Sequence, residues 1–328
     1  MPGVAREMPV SDRRPLRECQ AYAWLRHNRK AAVVICSTWY PEGLVALLAG
    51  AQPLVILAHG LELMPTKAAW RRKLWRRLLR SVCESAQLVV SNSEYTQRLV
   101  LRSAPKARAV AIPLGVDDGR FTPEGRDRAR CKFNVEGKLV LSSVARLHAY
   151  KGHDTVFEAL AALPPAVRER FVYLIAGKGP HEEALRASAL NRRVSSQIRW
   201  LGFVSENELP DLYRASDLFV LCTHESVERQ EVEGFGLVFL EAQACGTPVV
   251  GTRCGGIPEA VREGEGAWLI DDGGVDALVS ILSLLAHKPE VFCAARAAVR
   301  ARVERECTWT HYVDRFTSAL QAEGVHIV

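Results

Sequence analysis

No apolar run in the 328 residues approaches the roughly 20 needed to span a bilayer. The opening stretch, Met1 to Arg17, carries charges and prolines where a secretion signal would have an apolar core, so no leader is expected. The nine cysteines are scattered, with no CxxC and no paired Cys/His spacing, which argues against a zinc site and a disulfide framework. An odd number without a leader reads as free thiols in a reducing cytoplasm, and most sit in apolar runs, where cysteine acts as a small core residue. The dinucleotide fingerprint is incomplete. Gly177-Lys178-Gly179 is followed by Glu182 where the third glycine belongs, so neither a nicotinamide nor a flavin cofactor is expected. Repeats, low-complexity tracts and recognised nucleic-acid-binding modules are also missing, and a net charge of +6 is modest.

What remains is an ordinary globular composition, 48% hydrophobic and 24% charged, long enough for about two domains. Short β-branched runs alternate with helical patterns. One series comprises Ala31–Ser37, Pro53–Ala58, Leu88–Ser91 and Ala109–Pro113. A second comprises Leu139–Val144, Val172–Ala176, Ile198–Leu201, Leu218–Leu221, Pro248–Gly251 and Ala267–Ile270. Such runs, separated by helices, predict parallel strands buried on both faces, the α/β doubly wound pattern occurring twice. The polar, Gly- and Pro-containing stretch 119–135 reads as a linker. Residues 1–118 then form a first domain, 136–310 a second, and the helical pattern of 311–328 crosses back to the first.

Open parallel sheets bind ligands at the carboxyl ends of their strands, which directs attention there. Arg146 and Lys151, five residues apart after Leu139–Val144, can converge with first-turn amides on a diphosphate. Spacing alone leaves two solvated cations equally open. The stretch 231–256, EVEGFGLVFLEAQACGTPVVGTRCGG, is more informative. Glu233 and Glu241 bracket a Gly234-Phe235-Gly236 turn at a helix start. The amides of Phe235, Gly236 and Leu237 are free there to face an anion, and both carboxylates want partners such as sugar or ribose hydroxyls.

The run from Glu233 to Glu241, followed by Gly255-Gly256-Ile257-Pro258-Glu259, resembles the E-x7-E signature of the retaining family-4 glycosyltransferases of GT-B fold. Ile112-Pro113-Leu114-Gly115-Val116-Asp117, Arg146 with Lys151, the Gly177–Pro180 turn, Leu201-Gly202-Phe203-Val204 and Tyr213-Arg214-Ala215-Ser216-Asp217 come in the family's order, over about residues 88–316. The resemblance implies two Rossmann-like domains facing a cleft. It gives Arg146 and Lys151 the donor diphosphate, Glu241 the ribose hydroxyls and Val204 the nucleobase. Glu233 takes the transferred sugar, with Gly234, Phe235, Gly236 and Leu237 beside it. His59, in Leu57-Ala58-His59-Gly60, contacts the sugar near its reacting carbon, although a lone strand-end histidine is more often structural. Transfer with retention, no metal and no cofactor beyond the nucleotide-sugar substrate is implied. The loop 228–241 looks most like that of the phosphatidylinositol mannosyltransferases, which use GDP-mannose, so a lipid-linked or glycan acceptor is expected.

The first domain reads as shortened, because no Gly-rich turn follows an initial strand. That keeps two rivals open: a truncated or catalytically silent nucleotide-sugar-binding subunit, and a nucleotide-sugar epimerase of the same fold. Finally, Lys67–Arg80, KAAWRRKLWRRLLR, has seven cations and no acid. Its apolar stripe, with Trp70 and Trp75 flanked by Arg71, Arg72 and Arg76, reads either as a core-facing helix with a solvated basic side or as a dock for an anionic membrane at the cytoplasmic face. A nucleic-acid partner is not expected.

Overall fold

The computed structural model describes residues 13–28, 33–64, 69–225, 231–264 and 266–325. The chain divides into two compact units, one of residues 1–112 with 315–328 and one of residues 113–314. In the first unit, β1 (Val34–Cys36), β2 (Leu54–Ala58), β3 (Leu88–Ser91) and β4 (Ala109–Ala111) form a parallel sheet in that order. The end of the helix Trp309–Ala322 leads into this unit, where Gln87 Nε2 donates to the Glu323 carbonyl at 2.8 Å.

The second unit holds β5 (Leu139–Val144), β6 (Phe171–Ala176), β7 (Ile198–Gly202), β8 (Leu218–Leu221), β9 (Val249–Thr252) and β10 (Ala267–Ile270). Their order is β10-β9-β8-β5-β6-β7, with all pairs parallel. Chain order therefore reverses between β5 and β8. β6, β8 and β9 are buried along their whole length, as expected for apolar strands covered by helices on both faces. The apolar runs of the sequence and the strands coincide to within a few residues.

The stretch 119–135 is not a tether. It carries the helix Arg126–Lys132, and its charge is used on Asp217. Arg126 Nη1 donates to the Ser216 carbonyl at 2.7 Å and Arg130 Nη1 pairs with Asp217 Oδ2 at 3.2 Å. The same carboxylate accepts from the Val140 amide at 2.7 Å, so helix, β5 and β8 are tied at one point. The cysteines follow expectation, most of them buried and unpaired. All nine are free, but Cys19, Cys131 and Cys293 are exposed, while burial pushes the thiols of Cys83, Cys222 and Cys245 up to about 12. Among the described residues no single helix is long and apolar enough to cross a membrane.

Beneath the carboxyl end of β5 lies a buried polar chain. His153 Nδ1 meets Tyr173 Oη at 2.9 Å, and Ser143 Oγ meets the same hydroxyl at 2.5 Å and donates to the Val220 carbonyl. Burial pushes the His153 imidazole down to about 4. It stays neutral in the fold at pH values where the unfolded ring, at 6.5, takes a proton. Stability should hold above pH 6.5, fall by on the order of 3 kcal/mol between pH 6.5 and 4, and gain no further loss from this group below that. Urea melts at pH 7, 5 and 4, compared with His153→Gln, check this; an equal acid loss in the variant would clear the histidine of the effect.

Candidate active site

The reversal between β5 and β8 opens a crevice at the carboxyl ends of these two strands, the place where a doubly wound sheet takes its ligand. The sequence loads it from both sides. From β5 the chain runs through Arg146 to Lys151, and then Gly152 turns it into the helix His153–Ala162. A Cβ on Gly152 would lie 1.7 Å from the Cys222 carbonyl oxygen, so only glycine lets this turn press on the end of β8. The His224 amide donates to the Tyr150 carbonyl at 2.7 Å and closes the same contact from the other side.

Across the crevice, Glu233 precedes the helix Leu237–Ala244. Its backbone is held by the loop after β9. Gly256 donates to the Glu233 carbonyl at 2.9 Å, and a Cβ on Gly255 would sit 2.2 Å from that oxygen. The two sides meet in an ion pair, Lys151 Nζ to Glu233 Oε2 at 2.6 Å, with the side chains 12% and 18% exposed. The amides of Phe235, Gly236 and Leu237 donate to no described residue, and they stand at the positive end of the helix. Phe235 itself is buried in the core. Gly234 makes an interaction of its own.

Glu241 lies one turn into that helix, half-buried. Burial raises its pKa, opposed by the Tyr213 hydroxyl, which donates to Oε2 at 2.7 Å, and by the charge of Arg120. Toward β6 and β7 a cavity of about 410 Å³ opens, lined among others by Arg146, Lys178, Val204 and Glu206, with Phe203 75% exposed at its side. Arg146 is exposed, and its side chain bonds to no described residue. The structure thus brings Arg146 and Val204 to one cavity, and Lys151, Glu233 and the free amides to its neighbouring crevice. Tyr213, Arg120, Lys178 and Phe203 had been given no role from sequence. Tyr213, Lys178 and Phe203 fall within the motifs that carry the resemblance, but nothing in the sequence indicated what their side chains meet. Among the described residues no three His, Cys, Asp or Glu side chains are grouped to hold a metal.

Residues 126–302 match the family model "Glycosyl transferases group 1", and residues 3–120 match "Glycosyltransferase Family 4". The chain is 32% identical over 262 residues to the GDP-mannose-dependent α-(1-6)-phosphatidylinositol monomannoside mannosyltransferase of Mycolicibacterium smegmatis, covering 79% of this chain and 67% of that one. The chain belongs to the family-4 glycosyltransferases. It is also 33% identical over 284 residues to a D-inositol 3-phosphate glycosyltransferase of Actinosynnema mirum, covering 80% of this chain and 66% of that one. Among solved structures, HepE of Anabaena in complex with UDP and glucose superimposes with a TM-score of 0.78 at 20% identity, over 94% of this chain and 82% of that one. That likeness shows the GT-B fold of this glycosyltransferase.

The two other predicted site regions lie in the first unit. His59 ends β2 and is exposed, and its Nε2 lies 3.1 Å from the Ser37 carbonyl. A carbonyl only accepts, so Nε2 is the donor in this contact. In the helix Ala69–Ser85, Trp75 does not face outward. Its ring packs edge-on to Trp39 at 4.3 Å and to Tyr40 at 5.6 Å, completing an aromatic cluster in continuity with buried Leu79 and Val82. Arg72 and Arg76 are exposed as expected, whereas the side chains of Trp70 and Arg71 lie outside the described residues.

The Tyr213–Glu241 bond gives a test of how this carboxylate is held. Tyr213→Phe removes the donor, so the Glu241 pKa should rise further and the fold should lose about 1–3 kcal/mol at pH 7. A carboxyl with a raised pKa is favoured in its neutral form, so the deficit should vanish below the unfolded value of 4.5 and grow as pH climbs through the folded one. Chemical melts of both proteins at pH 4 and 7 check it.

Proposed function

We propose that this glycosyltransferase moves mannose from GDP-mannose to an inositol-bearing lipid or glycan, with retention and without a metal, at the cytoplasmic face of a membrane. The observation that carries the reading is the Lys151–Glu233 pair set against the free amides at the start of the helix Leu237–Ala244. A cation, a carboxylate and a helix N-terminus converge where a sugar diphosphate must present negative charge and hydroxyls together. The two relatives support the donor and the acceptor class: one is a GDP-mannose-dependent phosphatidylinositol monomannoside mannosyltransferase, and the other is a D-inositol 3-phosphate glycosyltransferase.

In this reading the anomeric carbon–oxygen bond breaks toward the diphosphate, and the acceptor hydroxyl attaches on the same face of the sugar. Arg146 and Lys151 meet the charge that grows on the leaving oxygen, an electrostatic form of catalysis. Glu233 orients the sugar hydroxyls and Glu241 those of the ribose. Val204 lies against the base. His59 contacts the sugar near the reacting carbon.

Lys151→Ala and Glu241→Ala should weaken donor binding with the fold intact, and Lys151→Ala should lower kcat by about 10²–10³. A thermal-shift panel of GDP, UDP, ADP and dTDP with EDTA present reads the first effect, since ligand at 100 Kd adds about 2.7 kcal/mol. A shift by GDP that persists in EDTA and is lost in Lys151→Ala is expected. Equal shifts in parent and variants would refute the site, and no shift until metal is restored would refute metal independence.

For membrane association the supporting feature is the exposed basic side of the helix Ala69–Ser85: Arg72, Lys73, Arg76, Arg77 and Arg80, with Leu74 59% exposed among them. Each cation contributes about 1 kcal/mol near an anionic surface. Binding to vesicles containing phosphatidylinositol should be salt-sensitive and be largely lost in Arg72→Glu/Arg76→Glu. Co-sedimentation measures it, and retention by the double variant would overturn the assignment.

A further inference from the structure

The sugar-diphosphate reading uses the ends of β5 and β8 and leaves one cation unexplained. Lys178 follows β6 in the turn Gly177–Pro180, is exposed, and its side chain bonds to no described residue. Its backbone is fixed, because the Leu147 amide donates to its carbonyl at 3.1 Å and the Gly177 amide donates to the Gly202 carbonyl at 2.7 Å. From that anchor the side chain runs toward β7. A Cβ built on Gly202 would lie 3.5 Å from Lys178 Cε. In the strand order β8-β5-β6-β7 this direction leads away from Lys151, Glu233 and the free amides. The ammonium is carried toward Phe203 and Val204, which follow Gly202 and line the same cavity.

We propose that Lys178 is a specificity-determining residue of the donor site, holding the acceptor atoms of an oxo base and so selecting guanine or uracil nucleotides over adenine ones. The inference rests on the donor-site reading above and goes beyond it. With the diphosphate at the β5–β8 crevice and the base against Val204, the nucleoside end of the donor lies in the cavity over β6 and β7 that Lys178 also lines. An ammonium offers three donors and no acceptor, so it suits a base edge that presents oxygen. Guanine presents O6 beside N7 and uracil presents O4, whereas adenine presents an amino donor at the position of O6. The acidic residue of the cavity does not cancel this preference. Glu206 is already engaged by Arg120, whose Nη1 lies 3.5 Å from Oε2 and whose Nη2 donates to the Glu206 carbonyl at 2.5 Å.

The test is calorimetric titration of GDP, UDP and ADP into the full chain, into Lys178→Met and into Lys151→Ala. Lys178 is exposed, so the methionine keeps the length of the side chain without threatening the fold. In the parent, the better of GDP and UDP should bind more tightly than ADP. In Lys178→Met that advantage should shrink on the order of tenfold, as expected for one charge-assisted hydrogen bond. Lys151→Ala should weaken all three in parallel. If Lys178→Met weakens all three nucleotides equally, the lysine serves the phosphates and the proposal is wrong; if it changes none, the lysine has no part in binding. If instead Lys151→Ala leaves every affinity untouched, the donor site itself is misplaced and the selectivity assignment goes with it.

Discussion

The ion pair between Lys151 and Glu233 is the contact on which the crevice between β5 and β8 is organised. Two charges held at 2.6 Å with little exposure carry a desolvation penalty, and the pair persists only if its geometry is fixed from outside. The surrounding loops provide that fixing. Gly152 lets the Lys151 turn touch the end of β8, and Gly255 lets the loop after β9 close on the Glu233 backbone. The His224–Tyr150 bond joins the loops after β8 and β5. Three strand ends therefore meet around one pair of charges. Loss of either partner would leave an unpaired charge in a site built to bury it.

The site's remaining charges divide by depth. Arg146 and Lys178 are exposed and uncommitted, while Lys151 is neutralised by Glu233 and Glu241 is pushed toward its neutral form by burial. An approaching anion thus meets positive charge at the rim before it reaches the buried pair. Surface cations of this kind act at a distance and are screened by salt; the buried pair is screened far less. Solvent exposure alone separates the long-range attraction of the rim cations from the fixed charges beneath them.

Much of this was legible in the sequence, for identifiable reasons. A parallel strand buried on both faces must be a continuous apolar run, so the strands of the second sheet's centre announced themselves, and the shorter, half-buried β1 and β4 were still marked by their apolar runs. Glu233 and Glu241 were legible because acids beside a Gly-Phe-Gly turn are hard to explain as surface decoration. The helix Ala69–Ser85 was only half legible. Periodicity reports that a helix has an apolar side, but which residues of that side find a partner depends on Trp39 and Tyr40, thirty-odd residues away. The helix Arg126–Lys132 was missed for the same kind of reason. Arginines that bind a distant aspartate, Asp217, are indistinguishable in composition from arginines in solvent.

Lys178 marks the sharper limit of sequence reasoning. Its Gly-Lys-Gly context draws attention to the glycines, which shape the turn, and away from the side chain between them. What gives that side chain a direction is the register of β6 on β7, where Ala176 stands opposite Gly202. The lysine stem lies along the neighbouring strand end, where a Cβ on Gly202 would meet its Cε in ordinary van der Waals contact at 3.5 Å. A residue that follows one strand thereby reaches the cavity beside the next. Sequence motifs record what each strand end carries; the sheet register decides where each charge is delivered.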